Sequence, residues 1–286
     1  MKYSYVKNKF VKSHEATVSI KERGFRFGDG IFETIKIKNY NLCDYHLHLS
    51  RLKKGLKEIK IDFDSDKILH LADRLIKKNN QKNGFLRLSI SRGIGSRGYY
   101  PTKSNPTLII ETENSRKIMQ KEIDLGVSPY RKISPSSLPV NYKTMQGMNS
   151  TLSLIEAKEQ GLFDSIILNT DGKITETSSA NFFALKKGKI YTPPAKDGLL
   201  CGVVRQKIIN NFSVIEKSIS ISDLKLFDAL FITNIAIRAK ELNSISEGQK
   251  IIWKKNTSPE SQNKIQEIIR KINNFDRDNR SLTSGF

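Results

Sequence analysis

The first third of the chain carries two kinds of hydrophobic pattern in turn. In residues 31–38 isoleucines alternate with lysines, the two-residue period of a half-exposed strand. Residues 46–59 repeat leucine at three- and four-residue spacing, which predicts an amphipathic helix. The same spacing returns after Asp64 and Ser65, either of which could cap a second helix. The pattern therefore predicts a strand followed by two helices.

Two further apolar runs complete this part of the chain. Residues 85–91 and 107–111 are short and apolar, as expected of strands. A polar stretch follows and indicates a crossover between domains. We therefore predict an α+β domain over residues 1–113, an interdomain loop over 114–120 and a second domain over 121–286.

The second domain is predicted to mix short strands with helices. Glycine and asparagine turns separate the strands as hairpins, and serine, proline and glycine mark helix ends. A polar tail begins at about Asp276 and is expected to be frayed. The predicted features are a helix over 149–160 ending at Gly161, hairpin turns at 169–172 and 186–188, a helix opening at Gly202, and a last helix with Ser258 as N-cap and Pro259 as its first residue.

The net charge of +20 raises the question of nucleic-acid binding. The lysines are scattered over predicted helices and turns, and aromatic side chains are not interleaved with them as stacking platforms. The pattern thus argues against a nucleic-acid partner. It favours small anionic ligands such as phosphates and carboxylates, which a positive field attracts.

The cysteines, the histidines and the apolar runs argue against several other classes of protein. Cys43 and Cys201 lie far apart, so the sequence predicts neither a disulfide framework nor a zinc site. His46 and His48 lack a third ligand, and we predict no metal site. No run of 18 apolar residues or secretory h-region occurs, which predicts a soluble, cytoplasmic protein without a membrane partner.

Lys143 and Glu176 form the most informative pair of residues. A lysine that bonds an aldehyde cofactor and a carboxylate that keeps a pyridine nitrogen protonated are the minimum equipment of a pyridoxal-phosphate enzyme. Taken alone, Lys143 is more simply a solvated surface lysine and Glu176 a turn carboxylate. Their surroundings favour the chemical interpretation.

Six motifs in order resemble those of the fold-type IV pyridoxal-phosphate enzymes, which include branched-chain aminotransferase, D-amino-acid transaminase and aminodeoxychorismate lyase. The resemblance covers residues 23–239 and implies a smaller N-terminal α/β sandwich, a larger C-terminal domain with a β-barrel-like sheet and helices, pyridoxal 5'-phosphate as cofactor, and a homodimer. The motifs are FGDGIFET at 27–34, HLSRL at 48–52, Lys143 with Glu156-Ala157, TETSSAN at 175–181, Thr192-Pro193 and LCGVVR at 200–205.

The resemblance also implies roles for individual residues. Lys143 matches the lysine that bonds the cofactor and then moves protons, and Glu176 matches the acid beside the pyridine nitrogen. Arg51 matches the phosphate arginine, although an exposed position on an amphipathic helix is the alternative. The phosphate would also accept from backbone N–H groups of the residues Val203, Val204 and Ile235.

A glycine motif at residues 93–98, GIGSRG, matches the dinucleotide fingerprint only in its letters. The fingerprint needs a helix next, and the following prolines at 101 and 106 oppose one. The segment instead resembles the substrate-carboxylate loop of aminodeoxychorismate lyases. There Arg97 would bind a carboxylate and Tyr99 would add a hydroxyl group.

The resemblance leaves two activities open. Arg97 with Tyr99, Asn234 and the methionine Met148, a tyrosine in branched-chain aminotransferases, favour a lyase that converts 4-amino-4-deoxychorismate to 4-aminobenzoate and pyruvate in the folate pathway. The alternative is an aminotransferase acting on a branched-chain or D-amino acid with 2-oxoglutarate, since Arg97 also matches a D-amino-acid transaminase arginine. A basic binding protein on a degenerate scaffold is a third possibility, which the retained Lys143 and Glu176 oppose.

Overall fold

The structure is a computed structural model that describes residues 1–101, 105–115 and 122–275. Within these residues no helix has the length and apolar composition needed to cross a bilayer. The elements in chain order are β1 Tyr3–Val6, β2 Lys9–Lys12, α1 Arg23–Phe27, β3 Gly30–Lys38, β4 Asn41–Leu42, α2 Tyr45–Glu58, α3 Lys67–Lys78, β5 Asn83–Ser91, β6 Thr107–Glu113, β7 Glu122–Arg131, α4 Met148–Glu159, β8 Asp164–Leu168, β9 Lys173–Thr177, β10 Asn181–Lys186, β11 Lys189–Thr192, α5 Val203–Asn211, β12 Val214–Glu216, β13 Ile219–Ser220, β14 Ala229–Asn234, β15 Arg238–Glu247, β16 Lys250–Lys254 and α6 Pro259–Asn273.

The chain packs as two compact units. The first unit comprises Met1–Lys117 and Tyr142–Gln146, and the second comprises Ile118–Asn141 and Gly147–Phe286. The segment around Lys143 thus belongs to the first unit, which differs from the predicted assignment of all residues 121–286 to one domain. The predicted loop at 114–120 lies partly outside the described residues and stays a prediction.

The first unit is built on a six-stranded antiparallel sheet in the order β2-β1-β6-β5-β3-β4. Every second residue of β3 is buried, and α2 and α3 contribute leucines and isoleucines to the core with that face. Gly55 lies where α2 meets the sheet, because a Cβ there would overlap Ile31 and approach Tyr142 at 3.1 Å. A glycine in mid-helix, normally unfavourable, therefore lets α2 pack closely against β3 and the lysine segment.

The second unit contains a closed six-stranded barrel. Its strands follow the order β10-β14-β15-β7-β8-β9, and β9 pairs again with β10 to close the ring. The closing pair joins Glu176 to Asn181. The strands β11 and β12 extend the sheet from β10, β13 pairs with β9, and β16 pairs with β15. Closure places the predicted cofactor carboxylate at the junction of the first and last barrel strands.

The barrel strands beneath α5 and α6 carry apolar side chains on both of their faces, one toward the helices and one toward the other strands. All of β8 and most of β10 and β14 are buried, as expected of strands covered on both sides. Phe183 and Phe231 stack at 5.0 Å on the side covered by α5 and α6, whereas Phe182 and Ile232 pack with residues of the other strands. This double burial explains the continuous apolar runs.

Most predicted elements are confirmed, and one helix start is wrong. The first predicted strand and helix correspond to β3 and α2, and Ser258 caps α6 by accepting from the Ser261 N–H group. Asp64 and Ser65 do not cap α3, which follows Asp66 without a side-chain cap. Asp64 instead accepts from the Asp66 N–H group at 3.0 Å, a local turn that delays the helix.

The α+β fold with a barrel-containing second unit is confirmed. Cys43 is buried and Cys201 is half-buried. The tail from Asp276 lies outside the described residues. The predicted homodimer and cytoplasmic location stay predictions.

Candidate active site

Lys143 is held against strand β3 by main-chain bonds. Its carbonyl oxygen accepts from the Phe32 N–H group at 2.9 Å, and Thr144 forms an isolated bridge with Ile31. The Lys143 ammonium lies 4.5 Å from the centre of the Phe32 ring. An aromatic face attracts a neighbouring cation and helps to orient it. The geometry fixes the lysine backbone at an extra strand position beside β3.

Arg51 lies on α2 and is paired to a buried carboxylate on β3. Its Nε donates to Glu33 Oε1 at 2.7 Å and its Nη2 donates to Oε2 at 2.6 Å. The Glu33 side chain is only 1% exposed, so this two-point pair is largely removed from water. Glu33 therefore fixes the plane of the guanidinium that matches the phosphate arginine.

His48 completes this cluster. Its Nδ1 lies 2.7 Å from Glu33 Oε2, and within the described residues its buried Nε2 has no hydrogen-bond partner. Burial lowers the pKa of the His48 imidazole, and the hydrogen bond to the Glu33 carboxylate opposes that shift only in part. The ring is thus neutral at neutral pH, with the Nδ1–H group donating to Glu33.

Glu33 remains ionised despite its burial. Burial alone would raise the pKa of the Glu33 carboxyl, but the Arg51 charge and the hydrogen bonds from His48 and Arg51 outweigh it and lower the pKa to about 2. The cluster of Glu33, His48 and Arg51 therefore carries a permanent ion pair at neutral pH.

Arg97 and Tyr99 lie in the loop between β5 and β6 of the first unit. Both side chains are exposed, Tyr99 to 86%. The backbone of this loop is nevertheless fixed, because the carbonyl oxygens of Gly98 and Tyr99 accept from the buried guanidinium of Arg23 at 2.8 and 2.7 Å. Exposed functional groups on a fixed backbone suit a ligand that arrives from solvent.

Glu176 is the centre of a second polar cluster, in the second unit. Its Oε1 accepts from Lys132 Nζ at 2.5 Å, and its Oε2 accepts from Asn181 Nδ2 and the Leu200 N–H group, both at 3.1 Å. The Glu176 side chain is 7% exposed and the Lys132 side chain 12%. The carboxylate is therefore oriented by three donors, of which one carries a charge.

The start of α5 lies beside this cluster. Asn181 donates to the Leu200 carbonyl oxygen at 2.8 Å, so the segment before the helix is tied to the Glu176 cluster. Gly202 is the N-cap residue and provides no side-chain cap, and a Cβ at Gly202 would overlap the Asn181 amide oxygen. The first N–H groups of α5, including those of Val203 and Val204, are the positive end of a helix dipole.

Asn234 ends strand β14 and shapes the turn that follows. Its Oδ1 accepts from the N–H groups of Ala236 and Ile237, each at 2.8 Å, and its Nδ2 donates to the Ser179 carbonyl oxygen at 3.1 Å. These bonds give Asn234 a turn-forming role and set the backbone around Ile235. Its predicted contact with substrate stays a prediction.

The structure thus brings the predicted residues together in two groups. The group in the first unit has Arg51 and Lys143 at neighbouring positions along β3, with Arg97 and Tyr99 on a separate loop of that unit. In the second unit Asn181 links Glu176 to the segment before α5, and Asn234 at the end of β14 bonds to the Ser179 carbonyl oxygen. The predicted residues of this group are Glu176, Val203, Val204, Asn234 and Ile235.

Three partner residues were missed by sequence reasoning. Glu33 had a signal, because it occupies the buried phase of a strand whose other positions in that phase are isoleucines. Lys132 had none, since it lies 44 residues from Glu176. Arg87 of β5 lies with its Cζ 4.0 Å from the Phe32 ring, which Lys143 also contacts. The Phe32 ring therefore carries two cations.

The second-unit group fits a phosphorylated pyridine. Glu176 offers an oriented carboxylate to a protonated ring nitrogen, and α5 offers backbone donors that favour a phosphate. The glycine at 202 keeps this helix start free of a side chain. The first unit, taken by itself, carries the amine of Lys143 and the guanidinium of Arg51, and their roles toward the cofactor stay predictions.

Comparison with known proteins agrees with this chemistry. The model of the amino-transferase class IV family matches residues 30–238. D-alanine aminotransferase of Bacillus licheniformis is 30% identical over 251 residues, covering 85% of this chain and 88% of the relative. The branched-chain amino acid aminotransferase of Escherichia coli matches with a TM-score of 0.84 at 22% identity, covering 98% of this chain and 97% of that one.

A third relative has a different activity in its name. The 4-amino-4-deoxychorismate lyase of Pseudomonas aeruginosa matches with a TM-score of 0.79 at 20% identity, covering 97% of this chain and 99% of that one. At this identity the two structural matches establish the fold alone. The family match over well over half of the sequence goes further: the chain belongs to the class IV aminotransferase family and is an enzyme that uses pyridoxal phosphate as its cofactor.

Proposed function

We propose that this enzyme is an aminodeoxychorismate lyase, which releases 4-aminobenzoate and pyruvate from 4-amino-4-deoxychorismate. The bond between the ring carbon and the oxygen of the enolpyruvyl group breaks, the ring loses the proton from the carbon that bears the amino group, and the departing enol gains a proton to become pyruvate. The cofactor supplies an electron sink for this step. Lys143 is the residue that removes and returns the protons.

The observation that carries this proposal is the loop of Arg97 and Tyr99. Its sequence resembles the carboxylate loop of these lyases, and Arg23 holds its backbone at two consecutive carbonyl groups. An exposed guanidinium on a fixed loop suits a substrate carboxylate, which it can bind through two parallel bonds.

Arg87 supports a substrate with two carboxylates. Aminodeoxychorismate carries one carboxylate on its ring and one on its pyruvyl group, so its site needs two cationic contacts. Arg87 lies against the Phe32 ring that also contacts Lys143, and it adds a second guanidinium near the reactive amine. We assign the ring carboxylate to Arg87 and the pyruvyl carboxylate to Arg97.

Two residues of the second unit also favour the lyase. Met148, five residues after Lys143, is a tyrosine in branched-chain aminotransferases. The Met148 side chain is 69% exposed at the start of α4 and offers no hydroxyl group to a ligand. Asn234 follows Thr233, a dipeptide typical of the lyases, and shapes the turn around Ile235.

An aminotransferase is the second candidate. The similarity to D-alanine aminotransferase favours it, and Arg97 matches a carboxylate-binding arginine of that class. Tyr99 departs from the histidine found there two residues later. An aminotransferase would return the amino group to 2-oxoglutarate, whose two carboxylates could also contact Arg87 and Arg97.

One assay separates the two candidates. The cofactor-loaded enzyme is given aminodeoxychorismate without any amino acceptor, and 4-aminobenzoate and pyruvate are measured. It is also given D-alanine or L-leucine with 2-oxoglutarate, and glutamate is measured. We expect 4-aminobenzoate and pyruvate in equal amounts. Glutamate formation that depends on the acceptor, without release of 4-aminobenzoate, would establish the aminotransferase instead.

Lys143→Ala tests the shared chemistry. The variant should lose more than about 10³-fold in kcat for either reaction and should not retain cofactor after borohydride reduction. Lys54→Ala, which removes an exposed lysine of α2, is the matched control and should behave like the wild type. Covalent retention of cofactor by the Lys143→Ala variant would remove this lysine from the site.

Arg97→Ala tests the carboxylate assignment. Loss of a buried, charge-assisted contact in the enzyme–substrate complex should weaken carboxylate-bearing substrates by about 2 to 4 kcal/mol. The effect should appear in kcat/KM for aminodeoxychorismate. Unchanged kinetics would remove Arg97 from the substrate site and would leave the lyase without its main support.

A further inference from the structure

Arg23 is a buried arginine with three hydrogen-bond partners. It is 3% exposed, at the start of α1, and its Nε donates to Asp29 Oδ2 at 2.7 Å. Its other two nitrogens donate to the carbonyl oxygens of Gly98 and Tyr99 at 2.8 and 2.7 Å. One guanidinium thus joins a carboxylate to two consecutive peptide groups of the loop that carries Arg97.

We propose that Arg23 is a positioning residue that sets the substrate affinity of the carboxylate loop, residues 94–99, through Arg97. The proposal rests on the proposed function in one respect, the binding of a substrate carboxylate by Arg97. Arg23 itself contacts neither substrate nor cofactor in this scheme. Arg23 fixes the position of the loop backbone from which the Arg97 side chain extends.

The base of the loop is hydrogen-bonded to residues 21–23, the segment that also holds its tip. The Gly95 N–H group donates to the Lys21 carbonyl oxygen at 3.2 Å, and the Arg23 N–H group donates to the Gly93 carbonyl oxygen at 2.9 Å. A Cβ at Gly95 would lie 2.6 Å from Arg23 Cδ, so the loop backbone packs directly on the arginine side chain. Both ends of the loop path therefore depend on residues 21–23.

Glu22 secures the strands on either side. Its carboxylate accepts from Ser91 Oγ at the end of β5 and from Thr107 Oγ1 at the start of β6, at 2.5 and 2.9 Å. Glu22 is 5% exposed. Glu22 thus fixes the ends of the two strands, whereas Arg23 fixes the backbone of the loop tip.

Within the described residues, the side chains of the loop tip are largely exposed. Tyr99 and Tyr100 are 86% and 81% exposed, and the Tyr99 ring contacts Phe27, on the same helix as Arg23, at 5.4 Å between ring centres. A loop with few packed side chains depends on its backbone bonds for a defined conformation. A shift of about 1 Å in a binding group can change rates by about 10²-fold, so loss of the Arg23 bonds should reach the substrate.

Arg92 provides a matched control. It donates to the same Asp29 carboxylate, at 2.8 Å, and also donates to two consecutive carbonyl oxygens, those of Ile59 and Lys60. Arg92 thus has the chemistry of Arg23 but holds the end of α2 instead of the loop. Replacing either arginine removes the same kind of bonds, and only Arg23 acts on the loop.

The kinetic test compares Arg23→Ala, Arg23→Lys and Arg92→Ala as cofactor-loaded enzymes. We expect Arg23→Ala to raise KM for aminodeoxychorismate about 10- to 100-fold, with a smaller change in kcat. Arg23→Lys keeps the charge without the planar fork and should recover only part of the loss. Arg92→Ala should lower the melting temperature similarly and change KM less than about twofold. Equal KM effects of Arg23→Ala and Arg92→Ala would overturn the proposal.

A double variant tests whether Arg23 acts through Arg97. If it does, Arg23→Ala should add little to the KM of an Arg97→Ala enzyme, whereas independent effects would multiply. Multiplied effects would refute the positioning role. If Arg97→Ala alone leaves KM unchanged, the carboxylate assignment of the proposed function fails, and that result does not depend on Arg23.

A readout independent of activity measures the loop directly. Limited digestion with trypsin, followed by mass spectrometry, reports cleavage after Arg97 in the folded enzyme. Cleavage should be at least about tenfold faster in Arg23→Ala than in Arg92→Ala, because local opening controls access. Equal cleavage rates in the two variants would contradict the role of Arg23 in fixing the loop, whatever substrate the enzyme uses.

Discussion

The two units hold their candidate cofactor-binding charges in different ways. In the first unit Arg51 is held by Glu33, whose side chain is 1% exposed, through two charge-assisted bonds. In the second unit Glu176 is held by one cation, Lys132, and by two neutral N–H donors. The first arrangement is a closed ion pair with two bonds, and the second joins the cation through one bond, from which we infer that the cation partner of Glu176 can be exchanged.

The contrast matters for ligand binding. A fully buried ion pair costs much to break, because each charge has lost its water and depends on the other. Lys132 and Arg51 are similarly buried, at 12% and 11% exposed, but Lys132 donates to one oxygen of Glu176 whereas Arg51 donates to both oxygens of Glu33. A protonated ring nitrogen could therefore share the Glu176 carboxylate. The first unit provides a rigid guanidinium, and the second provides an adaptable carboxylate.

The largest expected effect comes from removing Glu33. Glu33→Ala would leave the Arg51 charge and the His48 ring buried without their acceptor, and should lower the free energy of unfolding by about 3 to 5 kcal/mol. Glu176→Ala leaves donors with more access to water and should cost about 1 to 3 kcal/mol. Denaturant unfolding of the two variants measures both values.

The test is which variant, Glu33→Ala or Glu176→Ala, loses more free energy of unfolding. Glu216→Ala is a useful control, because Glu216 pairs with the buried Arg205 but is itself 41% exposed. Its loss should be smaller than that of Glu33→Ala. A Glu176→Ala loss equal to or larger than the Glu33→Ala loss would contradict the distinction between a closed and an exchangeable charge.

The next effect is the loss of stability in acid. Since the pKa of Glu33 is lowered to about 2 in the folded state, its contribution is complete above its ordinary value and disappears as the pH falls from about 4.5 towards 2. A shift of this size corresponds to about 3 kcal/mol at about 1.4 kcal/mol per pKa unit. The lowered pKa of His48 acts earlier, since the unfolded chain binds its proton first as the pH falls below about 6.5.

Unfolding free energies at pH 7, 5, 4 and 3 measure this dependence. Glu33→Gln should flatten the acid limb, because the neutral amide takes up no proton. Glu267→Gln serves as the control: Glu267 pairs with Lys264 and Lys271 on the surface of α6, where solvent screens the charges. The Glu33 assignment is wrong if both variants retain the wild-type acid limb.

The comparison also explains what could be predicted from the sequence. Local patterns were sufficient for β3, α2 and the Ser258 cap, because a period or a cap depends on residues close in the chain. Asp64 was predicted as a cap and instead accepts from the Asp66 N–H group. Two nearby acceptors compete there, and the sequence pattern does not rank them.

The candidate site likewise contains residues that local motifs indicate and partners that only the fold reveals. Lys143 and Glu176 could be named as candidates because each lies in a motif, and their roles stay predictions. Glu33 was quoted within a motif, but its role as the partner of Arg51, 18 residues away, requires the packing of α2 on β3. The contact of Lys132 with Glu176 requires the fold of the second unit. Long-range partners depend on how elements pack, which local periodicity does not contain.

The smallest expected effect tests the exchangeable charge. Lys132→Met would leave Glu176 with its two neutral donors and should lower the free energy of unfolding of the cofactor-free enzyme by about 1 to 2 kcal/mol. Lys132→Arg keeps a cation at this position and should lose less. Lys189→Met, which changes an exposed lysine of β11, controls for the loss of one positive charge.

Cofactor should then reduce the deficit. If the protonated ring nitrogen of pyridoxal phosphate approaches Glu176, it replaces part of the missing positive charge, so Lys132→Met should gain more in melting temperature on loading than the wild type does. Thermal unfolding with and without pyridoxal phosphate measures this difference. An equal gain in Lys132→Met, Lys189→Met and the wild type would mean that Glu176 does not share its charge between Lys132 and the ring. The carboxylate would then be a closed pair, as in the first unit.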